Sequence, residues 1–105
     1  MTDLSKLSSG TYVLDFTAKH CGPCRQLAPT LHAIEKEYRG AFGLVEVDVD
    51  DEPQLAQAFG VRAMPTLVLW RDGKEVGRVV GARPRAFVQG VIDRALRGDV
   101  AIACP

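Results

Sequence analysis

Between Thr11 and Thr17 the chain reads Thr-Tyr-Val-Leu-Asp-Phe-Thr, and four residues later Cys21-Gly22-Pro23-Cys24 opens a long amphipathic run. The first segment is β-branched or aromatic and apolar nearly throughout, with Asp15 as the exception. A strand of that kind is covered on both faces, as in a parallel sheet held between helices. In the second segment Leu27, Leu31, Ile34 and Tyr38 recur at spacings of four, three and four, which makes one helical stripe. A buried strand feeding directly into such a helix commits the chain to a strand–helix–strand unit with a right-handed crossover.

The remaining segments extend the α/β pattern. Thr2 to Ser8 has room for a short helix, capped by Thr2 or Asp3, with Leu4 and Leu7 on one face. The long helix is expected from Cys21 to about Tyr38, kinked at Pro29 and stopped by Gly40. From Leu44 to Val49, Val45, Val47 and Val49 face one way and Glu46 and Asp48 the other, a strand with one partly solvated face. A short helix follows from about Glu52 to Phe59, with Asp50 or Asp51 as cap and Pro53 in its first turn. Thr66 to Arg71 and Glu75 to Val80 are two strands joined by Asp72-Gly73, a pair suited to a tight hairpin turn because that turn needs positive φ. The last helix runs from about Pro84 to Leu96 on the apolar face of Phe87, Val88, Val91, Ile92, Ala95 and Leu96. The order α-β-α-β-α-β-β-α predicts a mixed four-stranded sheet with helices on both faces, in one domain spanning residues 1–105. The apolar tail after Arg97 has no predicted place in it.

Composition removes several classes of function. Thirteen Lys and Arg balance thirteen Asp and Glu, whereas a nucleic-acid binder of this size is usually basic. No apolar run approaches the ~20 residues of a membrane helix. The first ten residues lack the apolar core of a secretory signal, so cytoplasm is the expected location.

The chemistry is concentrated in the cysteines. Cys21 and Cys24 stand three apart at a strand-to-helix junction, and the third, Cys104, stands alone near the end of the chain. Three readings compete for the pair. Half of a zinc site needs four ligands, and the remaining candidates are only Cys104, His20 and His32, with no second Cys-x-x-Cys. An inert buried pair is the second reading. The third is a reversible disulfide, which this strand–Cys-x-x-Cys–helix context favours. Unpaired N–H groups and the helix dipole at a helix N-terminus stabilise a thiolate, the form that attacks disulfides. Cys24, one turn further in, could then attack the mixed disulfide and release the product. Gly22 and Pro23 bend the chain without bulk and leave Cys21 open.

Taken together, the Cys21-Gly22-Pro23-Cys24 sequence after Asp15 to His20, then Met64-Pro65-Thr66, then Asp72-Gly73 and Val80-Gly81-Ala82 resemble the thioredoxins. The likeness covers about Thr11 to Leu96. It implies a thioredoxin-like fold and a general reductase of protein disulfides, with no bound cofactor or metal. Electrons would come from NADPH through a flavin-containing thioredoxin reductase. By the resemblance, Cys21 is the nucleophile and Cys24 the resolving thiol. Asp15 matches the family's buried acid and would relay the proton that Cys24 loses; its plain alternative is a solvated aspartate on a strand face. Pro65 matches the family's cis-proline, and Met64 would offer backbone groups to a substrate strand. Gly22, Pro23, Val61, Ala63, Met64, Pro65, Gly81 and Ala82 would form the docking surface. Glu46 falls where relatives place a charge beside the buried acid, or is simply solvated. Trp70 reads as core packing and His32 as a surface residue.

The sequence also departs from that family. His20 stands where Trp usually precedes the first cysteine, and Thr17 stands where a second Trp is usual. Because histidine changes charge near neutral pH, His20 is a candidate tuning residue for the Cys21 thiolate. The family's N-terminal edge strand has no counterpart in the short stretch before Thr11. Leu44 to Val49 would then be a sheet edge unless residues 100–103 cover it, and the chain is expected to be a monomer or a weak dimer. Cys104 reads as an incidental thiol, with disulfide bridging or glutathionylation as the alternative. Disulfide-containing clients and the reductase are the expected partners. The competing functions are an oxidase or isomerase of an oxidising compartment, and a binding subunit that uses the same surface without redox turnover.

Overall fold

A computed structural model of the protein describes residues 2–98, and the expectations for Cys104 and for residues 100–103 lie outside them. A 3-10 turn at Leu4–Leu7 precedes β1 (Thr11–Thr17), α1 (Gly22–Glu37), β2 (Gly43–Asp48), α2 (Pro53–Ala58), β3 (Thr66–Arg71), β4 (Lys74–Val80) and α3 (Arg85–Leu96). The four strands form one sheet in the order β2-β1-β3-β4. β1 and β2 are parallel, whereas β3 runs antiparallel to both β1 and β4. The mixed sheet is the predicted one, and among the described residues β2 and β4 are its edges.

Side-chain alternation splits the core into two layers. Val13, Leu67, Leu69 and Val79 pack with Leu27, Leu31 and Ile34 of α1 and with Val88, Val91, Ile92 and Ala95 of α3. On the opposite face Leu14, Phe16, Val47 and Val68 pack with Ala56 of α2, and Leu4, Leu7, Phe59 and Trp70 close over them. This double coverage is why β1 carries almost no polar residue: Val13, Leu14 and Phe16 are each fully buried. Truncating Phe16 to Ala would cost ~3–5 kcal/mol by the usual core cavity penalty. Trp70 is tied into its layer by a hydrogen bond from its Nε1–H to the Leu7 carbonyl, 3.0 Å.

Local chemistry fixes the ends. Asp72 and Gly73 both have positive φ, 50° and 83°, as the two-residue hairpin requires. The Asp72 carboxylate also accepts the Gly10 N–H at 2.9 Å, which pins the hairpin to the start of β1. One sequence expectation fails at α2. Neither Asp50 nor Asp51 caps that helix; their own N–H groups are taken by the Asp48 carboxylate, at 2.8 and 3.3 Å. Glu52 occupies the cap position without a side-chain cap bond, because its carboxylate instead binds the backbone N–H and hydroxyl of Thr2. α1 runs through Pro29 as one helix, with Pro29 on its exposed side.

Candidate active site

The site lies where β1 ends and α1 begins. Cys21 is the cap residue of α1, in extended conformation, and Gly22 and Pro23 form its first turn. Cys21 and Cys24 are joined in a disulfide, with Cα atoms 5.3 Å apart. The Sγ of Cys21 accepts the Cys24 backbone N–H at 3.2 Å. The two cysteines differ in burial: Cys24 is 6% exposed, whereas Cys21 is half-buried and Gly22 and Pro23 are open to solvent.

A second loop comes up against the pair. The Met64–Pro65 peptide bond is cis. The Met64 carbonyl oxygen lies 3.8 Å from Cys21 Sγ. The Thr66 hydroxyl braces this loop by donating to the Ala63 carbonyl at 2.6 Å. Gly81 N–H donates to the Pro65 carbonyl at 2.8 Å, and Gly81 holds a φ of +88°, which side-chain-bearing residues rarely adopt. Met64, Pro65 and Gly81 are therefore brought together beside Cys21. Ala82 lines a groove with Gln26, Leu27 and Thr30 of α1 and with Arg83, Pro84 and Arg85. Val61 is half-buried, packs partly against the layer of Phe16 and Ala56, and donates its N–H to the Ala56 carbonyl at 2.9 Å. Ala63 is exposed on the loop.

Asp15 is 6% exposed, and its Oδ1 has no hydrogen-bond partner among the described residues. It alternates with Leu14 and Phe16 and so points with Val13 toward the α1 layer that holds Cys24. Burial pushes its carboxyl up to about 6; the negative charge of Glu46 adds to that rise, and His32 opposes it. Glu46 is the residue opposite Asp15 in the β1–β2 ladder. Its Oε1 is 3.8 Å from the Nε2 of His32, which is exposed on α1 as expected. The alternation of β2 puts Glu46 on the face of Asp15. His20 is exposed in the turn before Cys21.

A buried and a half-open cysteine linked across the first turn of a helix, beside an exposed backbone loop, define a thiol–disulfide oxidoreductase. The protein-family comparison agrees: the model described as Thioredoxin matches residues 2–94. Thioredoxin of Staphylococcus aureus is 38% identical over 92 residues, covering 88% of each chain. The X-ray structure of Fasciola hepatica thioredoxin superimposes with a TM-score of 0.80 at 38% identity, over 88% of this chain and 86% of that one. A chain from a structure on thiol resolution in yeast mitochondrial 1-Cys peroxiredoxin via glutathione/thioredoxin systems gives 0.77 at 35% identity, over 89% and 92%. The chain belongs to the thioredoxin family. Among the described residues no helix is long and apolar enough to cross a membrane, and no group of three or more His, Cys, Asp and Glu could hold a metal ion.

Proposed function

We propose that the protein is a dithiol reductase of disulfides in other proteins, in which Cys21 attacks and Cys24 resolves. The observation that carries this reading is the unequal burial of the two cysteines, which makes Cys21 the more accessible to a client disulfide. In the reduced protein the Cys21 thiolate attacks one client sulfur, forms a mixed disulfide and expels the other client sulfur as thiolate. Cys24 then loses its proton to the Asp15 carboxylate and attacks Cys21 Sγ. The Cys21–Cys24 bond forms, the bond to the client breaks, and the client sulfur leaves as a thiolate that takes up a proton from water. Two electrons have passed from the dithiol to the client disulfide.

Docking uses Gly22, Pro23, Val61, Ala63, Met64, Pro65, Gly81 and Ala82, with Met64 offering its backbone to an extended client segment. The 3.8 Å approach of the Met64 carbonyl to Cys21 Sγ supports that role, since a strand lying there would meet the sulfur. Pro65 is itself buried and Val61 half-buried, so these two offer the least side-chain surface. The oxidised protein is recharged by a flavin-containing thioredoxin reductase drawing on NADPH, in the cytoplasm. The test is reduction of insulin disulfides coupled to a thioredoxin reductase and NADPH. Wild type should turn over, and Cys21→Ser/Cys24→Ser should not. A double variant that keeps the protein's biological role would overturn the reading in favour of a binding module.

A further inference from the structure

Three titratable side chains form a line from the core to the surface on the α1 side of the sheet. Asp15 is buried on β1 with one carboxylate oxygen unpartnered among the described residues. Glu46 sits opposite it on β2 and reaches solvent. His32, on the turn of α1 after Leu31, holds its Nε2 3.8 Å from Glu46 Oε1 and its Nδ1 3.8 Å from Glu35 Oε1. The other ladder neighbour of Asp15 is Leu67 of β3, which brings no charge. The charges that act on Asp15 are Glu46 of β2 and His32 of α1, with Glu35 against His32, and Cys24 lies on the buried face of the same helix.

We propose that His32 is a positioning residue for Asp15, acting together with Glu46 to set the pH at which the buried carboxylate can take the proton of Cys24. This rests on the reading that Asp15 and Cys24 exchange that proton. Glu46 repels the Asp15 carboxylate, and among the described residues no hydrogen bond to Oδ1 relieves it. The imidazolium form of His32 offsets Glu46 and favours ionised Asp15; the neutral form does not. Both side chains are about half exposed, so the coupling is screened, and salt should weaken it.

The direction of change differs for each partner. His32→Gln leaves Glu46 unopposed, so Asp15 keeps its proton to higher pH. Glu46→Gln removes the repulsion, so Asp15 ionises at lower pH. The shift is roughly half a pH unit in each direction, the size a screened surface pair supports. His32→Lys, which restores the cation, returns the midpoint toward wild type.

Two measurements test this on the full chain. The first is the Asp15 carboxyl titration in the oxidised protein, by NMR of carboxyl-labelled aspartate. The second is the pH profile of the resolving step, read as release of an aromatic thiol from its mixed disulfide with Cys21. Opposite shifts in His32→Gln and Glu46→Gln, equal in both measurements and reversed by His32→Lys, are expected. Unmoved Asp15 midpoints in both variants, while Asp15→Asn abolishes the low-pH limb of the profile, would overturn the role of His32 and leave the proton exchange standing. Shifted midpoints with a profile that Asp15→Asn does not change would overturn the proton exchange itself, and the proposal with it.

Discussion

The Sγ of Cys21 accepts the backbone N–H of Cys24 at 3.2 Å, so the accessible cysteine caps the helix in which its buried partner sits. When the disulfide is reduced, that N–H and the positive end of the helix dipole face a sulfur that can hold negative charge. The helix therefore favours a thiolate at Cys21, where clients arrive. Cys24→Ser should accumulate covalent mixed disulfides with clients, visible as higher-mass species on non-reducing gels and by mass spectrometry. Cys21→Ser should not. Capture through Cys24 in the Cys21→Ser variant would reverse the assignment.

Asp15 makes a prediction about stability as well as rate. Its carboxyl ordinarily titrates near 4 and is pushed up to about 6 in the folded chain, chiefly by burial. The folded state therefore binds more protons than the unfolded state between those values, and stability falls as pH rises through that window. Below about pH 4 no penalty exists; above about 6 it is complete and constant. A rise of about two units corresponds to on the order of 3 kcal/mol at most. Asp15→Asn should raise the unfolding free energy of the oxidised protein at pH 7–8, by on the order of 1–3 kcal/mol, and leave it unchanged near pH 4. It should also slow thiol–disulfide exchange. A variant less stable than wild type at pH 8, or equally active, would contradict this account.

The sequence carried those features that depend on neighbours along the chain. The run from Val13 to Phe16 announced a strand buried on both faces, and Asp72-Gly73 announced the hairpin, because each is a local geometric requirement. The alternation of Val45, Glu46 and Val47 likewise placed Glu46 on the correct side of β2. Contacts between distant segments were not legible. The carboxylate of Glu52 is drawn to Thr2, fifty positions earlier, and so the capping expectation at α2 failed. His32 alone on a helix face gives no hint of Glu46, since their approach depends on how α1 lies across the sheet.

Arg71, at the end of β3, gives a test that is independent of the redox site. Its Nη1 donates to the carbonyls of Ala95 and Leu96 at 2.9 Å each and approaches the Thr11 hydroxyl at 3.3 Å. These carbonyls belong to the last turn of α3; that of Ala95 also accepts the Gly98 N–H at 3.1 Å, and the guanidinium adds to this capping and complements the negative end of the helix dipole. Arg71→Gln should destabilise the fold by about 1.5–3 kcal/mol, the value of a hydrogen bond to a charged group, and lower the thermal midpoint by roughly 4–8 °C per kcal/mol. Arg71→Lys should recover only part of the loss, because an ammonium does not reproduce the planar fork. Turnover at 25 °C should be unchanged. A loss below about 0.5 kcal/mol, the range of ordinary surface substitutions, would show that water serves those carbonyls equally well.

His20 precedes Cys21 in an exposed turn, and its effect should be read in the reduction potential. A protonated imidazole attracts the Cys21 thiolate, whereas the disulfide carries no charge for it to attract. The attraction therefore favours the dithiol and makes the protein a weaker reductant than a variant without the histidine. An exposed pair of this kind is worth little, so the potential difference should not exceed roughly 20 mV, at ~30 mV per 1.4 kcal/mol for a two-electron couple. The effect needs two charges at once: a proton on His20 and none on Cys21. The potentials of wild type, His20→Gln and His20→Trp, measured by equilibration with a glutathione or NADPH redox buffer, should accordingly diverge toward low pH and then converge. A difference that is flat with pH, or absent, would confine His20 to shaping the surface that clients meet, with no electrostatic part in the chemistry of Cys21.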